Sequence, residues 1–294
     1  MRSISILGDS ISTFDGCNPP GYRVFYEGER RASTGVQNPA DTWWSQVVAR
    51  LGARLLANSS FSGSLVEGAG FPAGSSQERI DALAEDGVQP DVVIVFMGIN
   101  DYGWGGAAAQ AAGRGNALPA TLDLDAIAPH APGYASPDAV ARFRAAYDLL
   151  LSRLRATYPQ TDVWCCTLCP GRVAGEERPT FAWNLRGAPF RAYNDAIRTS
   201  AREHGCRVAD LEAYGVDYEA VDGTHPDARG MRQLAAMVAS CVEDGDADAR
   251  SLPAGLFDAS LRSEELCRGD ACVGCAHARG TGSSWFLVCE RGRE

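Results

Sequence analysis

The sequence predicts an α/β protein with a central, mostly parallel five-stranded sheet covered by helices on both faces, and three observations carry the expectation. Short segments rich in Val, Ile and Leu, bounded by polar or Gly-containing turns, have the look of strands. They alternate with longer segments whose apolar residues recur at helical spacing, so each helix returns the chain for another parallel strand. Polar turns carrying Gly, Ser, Asp and Asn follow the first three strands, and such sheets bind ligands beyond the carboxyl ends of their strands.

In chain order, the first strand spans Ser3 to Leu7 and runs into Gly8-Asp9-Ser10. A long connection, Ile11 to Asp41, precedes a helix over Thr42 to Leu51 with Trp44, Val47, Val48 and Leu51 on one face. The second strand, Arg54 to Asn58, leads to Ser62-Gly63 and then a helix over Gln77 to Glu85. The third, Asp91 to Met97, leads to Gly98-Ile99-Asn100-Asp101. A second long connection, Tyr102 to Ser136, follows and is rich in Ala, Gly and Pro; connections of this length are either functional or disordered. A helix over Pro137 to Thr157 presents Phe143, Ala146, Tyr147, Leu150, Leu151 and Leu154, and a strand follows at Asp162 to Leu168. A helix over Pro189 to His204 and a strand at Arg207 to Leu211 complete the sheet. The last helix follows Pro226, suited to a first helical position, with Met231, Leu234, Ala235, Val238 and Val242 on one face. Residues 1–245 are expected to form one domain, 246–266 an acidic linker with a short helix, and 267–294 a cysteine-rich tail.

With 294 residues, 45% of them hydrophobic, the chain has ample material for one sizeable core. A formal charge of −10 with no long basic run excludes attraction to phosphate backbones or anionic lipid, so neither nucleic acid nor membrane is an expected partner. Val92 to Met97 is far too short to span a bilayer. Gly8, Asp9 and Ser10 interrupt any apolar core of a secretory leader, and Cys165, Cys166 and Cys169 fall inside an apparent core strand. A reducing, cytoplasmic setting is therefore expected.

Ser10 reads either as a turn residue or as a nucleophile, and a serine hydroxyl is a weak nucleophile until a neighbour takes its proton. The chain has four histidines. His130 lies in the Ala/Pro-rich connection, His204 at a helix end where a cation is a routine structural feature, and His277 among the tail cysteines. His225, in VDGTHPDARG, follows Asp222 by three residues in a Gly-containing turn, so the carboxylate can reach one ring nitrogen and leave the other to accept a proton. The bland reading is a helix-capping turn with a surface histidine. Acyl transfer also needs donors where carbonyl charge develops; the candidates are the N–H of Ser10, the N–H of Gly63 and the amide of Asn100. Asp9 and Asp101 are expected to anchor turns rather than react. Trp43, Trp44, Phe61, Tyr102 and Trp104 adjoin these segments and are candidates to line a pocket, with Trp44 assigned to the core.

Ser10 in GDSIS, Gly63 in NSSFSGS, Asn100 in GIND and Asp222 with His225 in DGTH occur in an order that resembles the SGNH hydrolases, also called the GDSL esterases and lipases, over roughly residues 1–242. The resemblance implies a three-layer α/β/α, flavodoxin-like domain, a Ser10–His225–Asp222 catalytic centre, and oxyanion donors at Ser10, Gly63 and Asn100. Ile11 stands where the family's name has Leu, and the second block carries Ser where many relatives have further glycines. No Gly-x-Ser-x-Gly elbow surrounds Ser10, which argues against the α/β-hydrolase architecture. The function expected is hydrolysis of a small or carbohydrate-linked carboxylic ester through an acyl-serine, with a small-molecule ester as partner and no cofactor required. Alternatives are an acyltransferase using the same acyl-enzyme, a non-catalytic binding module, and a metal-regulated protein whose business lies in the tail.

In that tail Cys267, Cys272, Cys275 and Cys289, with four, two and thirteen residues between them, are candidates for a structural zinc site, with His277 able to replace one ligand. The first three share the opening spacing of plant-type iron–sulfur ligation. Disulfides or buried free thiols together weigh about as much as zinc.

Overall fold

The computed structural model describes residues 1–104, 138–174, 190–245, 252–253, 255–257, 278–280 and 287–289. Five strands form the central sheet: β1 (Ser3–Gly8), β2 (Arg54–Ser60), β3 (Val92–Phe96), β4 (Asp162–Cys166) and β6 (Arg207–Ala209). Their order is β2-β1-β3-β4-β6 and every pairing is parallel. The all-parallel arrangement explains the near-continuous apolar runs, since β1 and β3 are buried along their whole length. Each strand lies within two residues of the span read from sequence. The last two are shorter at their ends, because Thr167 and Leu211 turn away to hydrogen-bond Ala209 O outside the ladder.

The helices fall into two groups, consistent with one layer on each face. Helix α2 (Trp43–Arg50) packs against α7 (Ala228–Asp244), whereas α5 (Asp138–Thr157) packs against both α3 (Gln77–Asp81) and α6 (Phe190–Glu203). Their inward residues, including Val47, Ile80, Phe143, Leu150, Ile197, Leu234 and Val238, join the strand residues in one core. Trp44 is core as expected. Trp43 and Tyr102 are core too, fully buried and edge-on to Phe96 and Phe190 respectively, so neither lines a pocket. A neighbouring element supplied the apolar partner that their positions beside the polar turns concealed.

Five features depart from the expected element list. Inside the long connection after β1 lies the short helix α1 (Glu29–Thr34), and the Asn100 block opens another, α4 (Ile99–Trp104), instead of a polar turn. A second, two-stranded parallel sheet pairs β5 (Gly171–Val173) with β7 (Tyr218–Ala220). In the tail, β8 (Ala278–Gly280) and β9 (Leu287–Cys289) form an antiparallel pair. Finally, Pro226 precedes the last helix rather than opening it; Asp227 is the cap, accepting from the N–H groups of Arg229 and Gly230. Among the described residues no helix is long and apolar enough to cross a membrane.

Candidate active site

Strand β1 delivers Ser10. Gly8 ends the strand where no side chain fits, because an added Cβ would stand 2.5 Å from the Ser12 side chain and 2.8 Å from Ser60 Oγ. Asp9 then caps a single 3-10 turn, Ser10–Ser12, by accepting from Ile11 N. Ser10 therefore opens a helical turn, where backbone N–H groups lack intrahelical partners and face outward as donors.

The second strand pair delivers the base. After β7, Asp222 folds the chain back on itself, its Oδ1 accepting from Thr224 N at 3.0 Å and His225 N at 2.8 Å. Its Oδ2 meets His225 Nδ1 at 2.7 Å, and His225 Nε2 meets Ser10 Oγ at 2.9 Å across 215 positions of sequence. One continuous chain of hydrogen bonds thus links carboxylate, imidazole and hydroxyl. Ser10 is 4% and His225 8% exposed, so this contact is shielded from most bulk water. Burial pushes the Asp222 carboxyl up, but the His225 charge and the hydrogen bonds it accepts more than offset this, and it lies below the usual carboxylate range. Asp9 shows the opposite balance. Burial raises its carboxyl to about 7, only partly countered by the Ile11 hydrogen bond and the charges of His225 and Arg79.

The other two blocks converge on the same rim. Asn100, in the first turn of α4, donates its amide to Ser64 O at 2.9 Å. Asp101 beside it accepts from Val66 N and Glu67 N at 2.8 and 3.0 Å, so both residues grip the loop that carries Gly63. Gly63 itself holds a φ of +79°, a conformation that favours glycine. Asp9 and Asp101 are the anchors expected from sequence.

Two further residues build the site without a sequence signal. Arg79 on α3 is fully buried, and each of its five N–H groups has a partner: Ser59 O from Nε and Nη2, Ser64 Oγ and Pro72 O from Nη1, and Gly8 O from Nη2. It ties the ends of β1 and β2 to the Gly63 loop. Burial lowers its guanidinium to about 10, which leaves it charged at neutral pH. The second residue is Phe25, whose ring lies flat on His225. Nothing in the helix read over Gln77 to Glu85 marked the charged Arg79 as pointing inward, and Phe25 sits in a connection without periodicity.

Trp104 is helical in α4. Phe61 packs with Tyr22 and Phe71 in a three-ring cluster beside the Gly63 loop, with centroids 5.3–5.6 Å apart and Phe71 46% exposed. Of the other histidines, His204 pairs with Asp148 at 3.5 Å near the end of α6, the structural use expected of it. His130, Cys267, Cys272, Cys275 and His277 lie outside the described residues, and Cys289 ends β9. Cys165, Cys166 and Cys169 are free and buried. Among the described residues no cluster of three or more His, Cys, Asp or Glu side chains suits a metal ion.

The profile of the GDSL-like Lipase/Acylhydrolase family matches residues 6–233, which include all four blocks. The fold is similar to crystal structures described as GDSL-like lipases from Bacteroides ovatus (TM-score 0.55, 21% identity, covering 83% of this chain and 99% of that one) and Bacteroides uniformis (0.53, 22%, 83% and 96%). It is also similar to a protein from Lactobacillus plantarum (0.52, 20%, 83% and 98%). No curated protein matches the sequence. With the profile spanning most of the chain and its blocks folded onto one rim of a parallel sheet, the protein belongs to the GDSL-like lipase/acylhydrolase family and is a hydrolase acting on ester bonds.

Proposed function

We propose that the protein is a serine esterase in which Ser10 is the nucleophile, His225 the general base and Asp222 the group that holds His225 in the required tautomer. The observation that carries this reading is the pair of contacts on one imidazole, 2.7 Å to Asp222 and 2.9 Å to Ser10 Oγ. Proton acceptance at Nε2 frees the Ser10 oxygen to attack the ester carbonyl, while the lowered Asp222 carboxyl stays ionised beside the imidazolium that forms. Charge on the tetrahedral oxygen is met by the N–H groups of Ser10 and Gly63 and by Asn100. Collapse breaks the bond to the alcohol, which leaves with the proton from Nε2. Water, deprotonated by the same nitrogen, then attacks the acyl-serine and releases the acid. These steps use side chains and water alone.

The substrate is an ester of a small acid, free or carried on a carbohydrate. The Tyr22–Phe61–Phe71 cluster beside the Gly63 loop supports this, since the exposed Phe71 ring offers apolar surface against which a sugar ring packs. Activated esters of graded acyl length and acetylated sugars, assayed on wild type, Ser10→Ala and His225→Ala, test the reading. Turnover is expected to be highest for the shortest acyl groups and to fall about 10⁴-fold or more in each variant, because the triad acts as a unit. Activity within a few-fold of wild type in either variant, or a preference for long chains, contradicts it.

A further inference from the structure

The geometry points to Phe25 as a positioning residue for His225, which by stacking fixes the imidazole plane so that its two nitrogens stay aligned with Ser10 and Asp222. The inference rests on the proposed role of His225 as base. Phe25 and His225 lie with ring centroids 3.5 Å apart and planes 3° from parallel, so the benzene ring covers one whole face of the imidazole. Two hydrogen bonds at its nitrogens define where the imidazole edge points but still allow rocking about the line joining them. A flat surface against the face removes that freedom, and a displacement of about 1 Å at reacting atoms costs on the order of a hundredfold in rate.

Phe25 is itself held from several sides. Its N–H donates to Thr13 Oγ1 at 2.8 Å, and the Thr13 hydroxyl donates to Ser10 O at 2.9 Å, so the backbone of the stacking residue is tied to the nucleophile's own carbonyl. The next residue, Tyr26, is buried and donates its hydroxyl to Pro226 O at 2.8 Å, one position after the base. Asp15 N donates to Tyr26 O at 3.2 Å. The Phe25-Tyr26 pair therefore bridges the Ser10 turn and the His225 turn, and Phe25 supplies the bridge's flat contact with a reacting group. The Arg30 guanidinium lies 4.6 Å from the centroid of the Phe25 ring. The imidazole already fills one face, so Arg30 occupies the other. Because Arg30 lies in the first turn of α1, this helix and the segment before it form a backstop for the base.

Phe25→Leu removes the flat face while keeping apolar bulk, and Phe25→Tyr keeps the face. Kinetics on a short-chain activated ester, together with the proton NMR signal of the His225 Nδ1–H that bridges to Asp222, separate positioning from general packing. Phe25→Leu is expected to lower kcat about tenfold with KM within about twofold, and to broaden or erase the Nδ1–H signal at temperatures well below the thermal midpoint. Phe25→Tyr is expected to restore both. His225→Ala, measured alongside, tests the base itself: if it retains turnover, the underlying reading fails. If His225→Ala is inactive while Phe25→Leu keeps wild-type kcat and a sharp signal, the positioning role alone is overturned. A Phe25→Tyr variant as impaired as Phe25→Leu overturns that role equally.

Discussion

Asp9 is buried and Asp222 half-buried, both lie close to His225 and both accept from the backbone N–H two residues on, yet their acidities move apart. Asp222 accepts from two backbone N–H groups and the imidazole, enough donors to overcome desolvation. Asp9 has the Ile11 hydrogen bond and more distant charges, so burial dominates and its carboxyl rises to about 7. For Asp9 the native chain binds a proton that the unfolded chain releases between about pH 3.8 and about 7, so this group's contribution to stability is full at the acid end and is lost as pH rises through that window. Asp222 acts in reverse: its contribution is present above its unfolded value and lost on acidification. Asp9→Asn keeps an oxygen to cap the Ser10 turn and removes the titration. Urea midpoints measured from about pH 4 to about pH 7 are expected to lose the downward slope that Asp9 supplies; a variant profile parallel to wild type would remove Asp9 as its source. That Ser10, Asp222 and His225 lie in short polar turns behind strands was legible in the sequence, and so was the place of Asn100 directly behind β3. The contrast between the aspartates was not, because it depends on donors that the fold brings to each carboxylate.

At the scale of elements, the rim of the sheet is assembled by short pieces with little periodicity of their own. Helix α3 has five residues, too few to declare which side faces inward, and it ends at Asp81 although the apolar pattern continues to Leu83. That early stop lets Ile80 and Arg79 both point into the protein. Burying a charged guanidinium costs several kcal/mol, and only hydrogen bonds on all five N–H groups, each worth about 1.5–3 kcal/mol, offset it. Replacing Arg79 with Met preserves length but leaves Ser59 O and Pro72 O without their guanidinium donors and loosens β1 from β2 at the nucleophile. Arg79→Met is expected to lower the unfolding free energy by about 3 kcal/mol or more in urea titrations. A loss under about 0.5 kcal/mol, the scale of an ordinary surface change, would show that the network contributes nothing net. The expectation of a polar turn at GIND fails for a related reason. Asn100 and Asp101 direct their side chains at the Gly63 loop, not at their own backbone, and this lets the chain continue as helix. Three-residue strands such as β5 and β7 carry no period to read; they emerge only where Tyr218 N finds Pro170 O and the Asp222–His225 turn is pinned to the sheet's edge.

For the whole molecule, alternation of strand and helix made the parallel sheet legible from residues alone, whereas the strand order was not, because the pattern does not say on which side of β1 each new strand is added. The order β2-β1-β3-β4-β6 places β2 on one side of β1 and the later strands on the other. The side on which strands are added therefore switches between β1 and β3, and such sheets bind ligands beyond the carboxyl ends of the strands at that switch. Ser10 follows one of these strands and Asn100 the other, which is why blocks ninety positions apart share a rim. The Asp222–His225 turn, reached last, meets Ser10 from the far end of the chain. The central claim is that Ser10 is a nucleophile made reactive by His225, and labelling with a fluorophosphonate, which bonds covalently to activated serines, tests it most directly. Mass spectrometry of peptides from the treated protein is expected to show one adduct on Ser10 in the wild type, none in Ser10→Ala, and labelling slowed by about a hundredfold or more in His225→Ala, the scale of a lost general base. An adduct on another residue, or labelling at the wild-type rate in His225→Ala, would contradict the account.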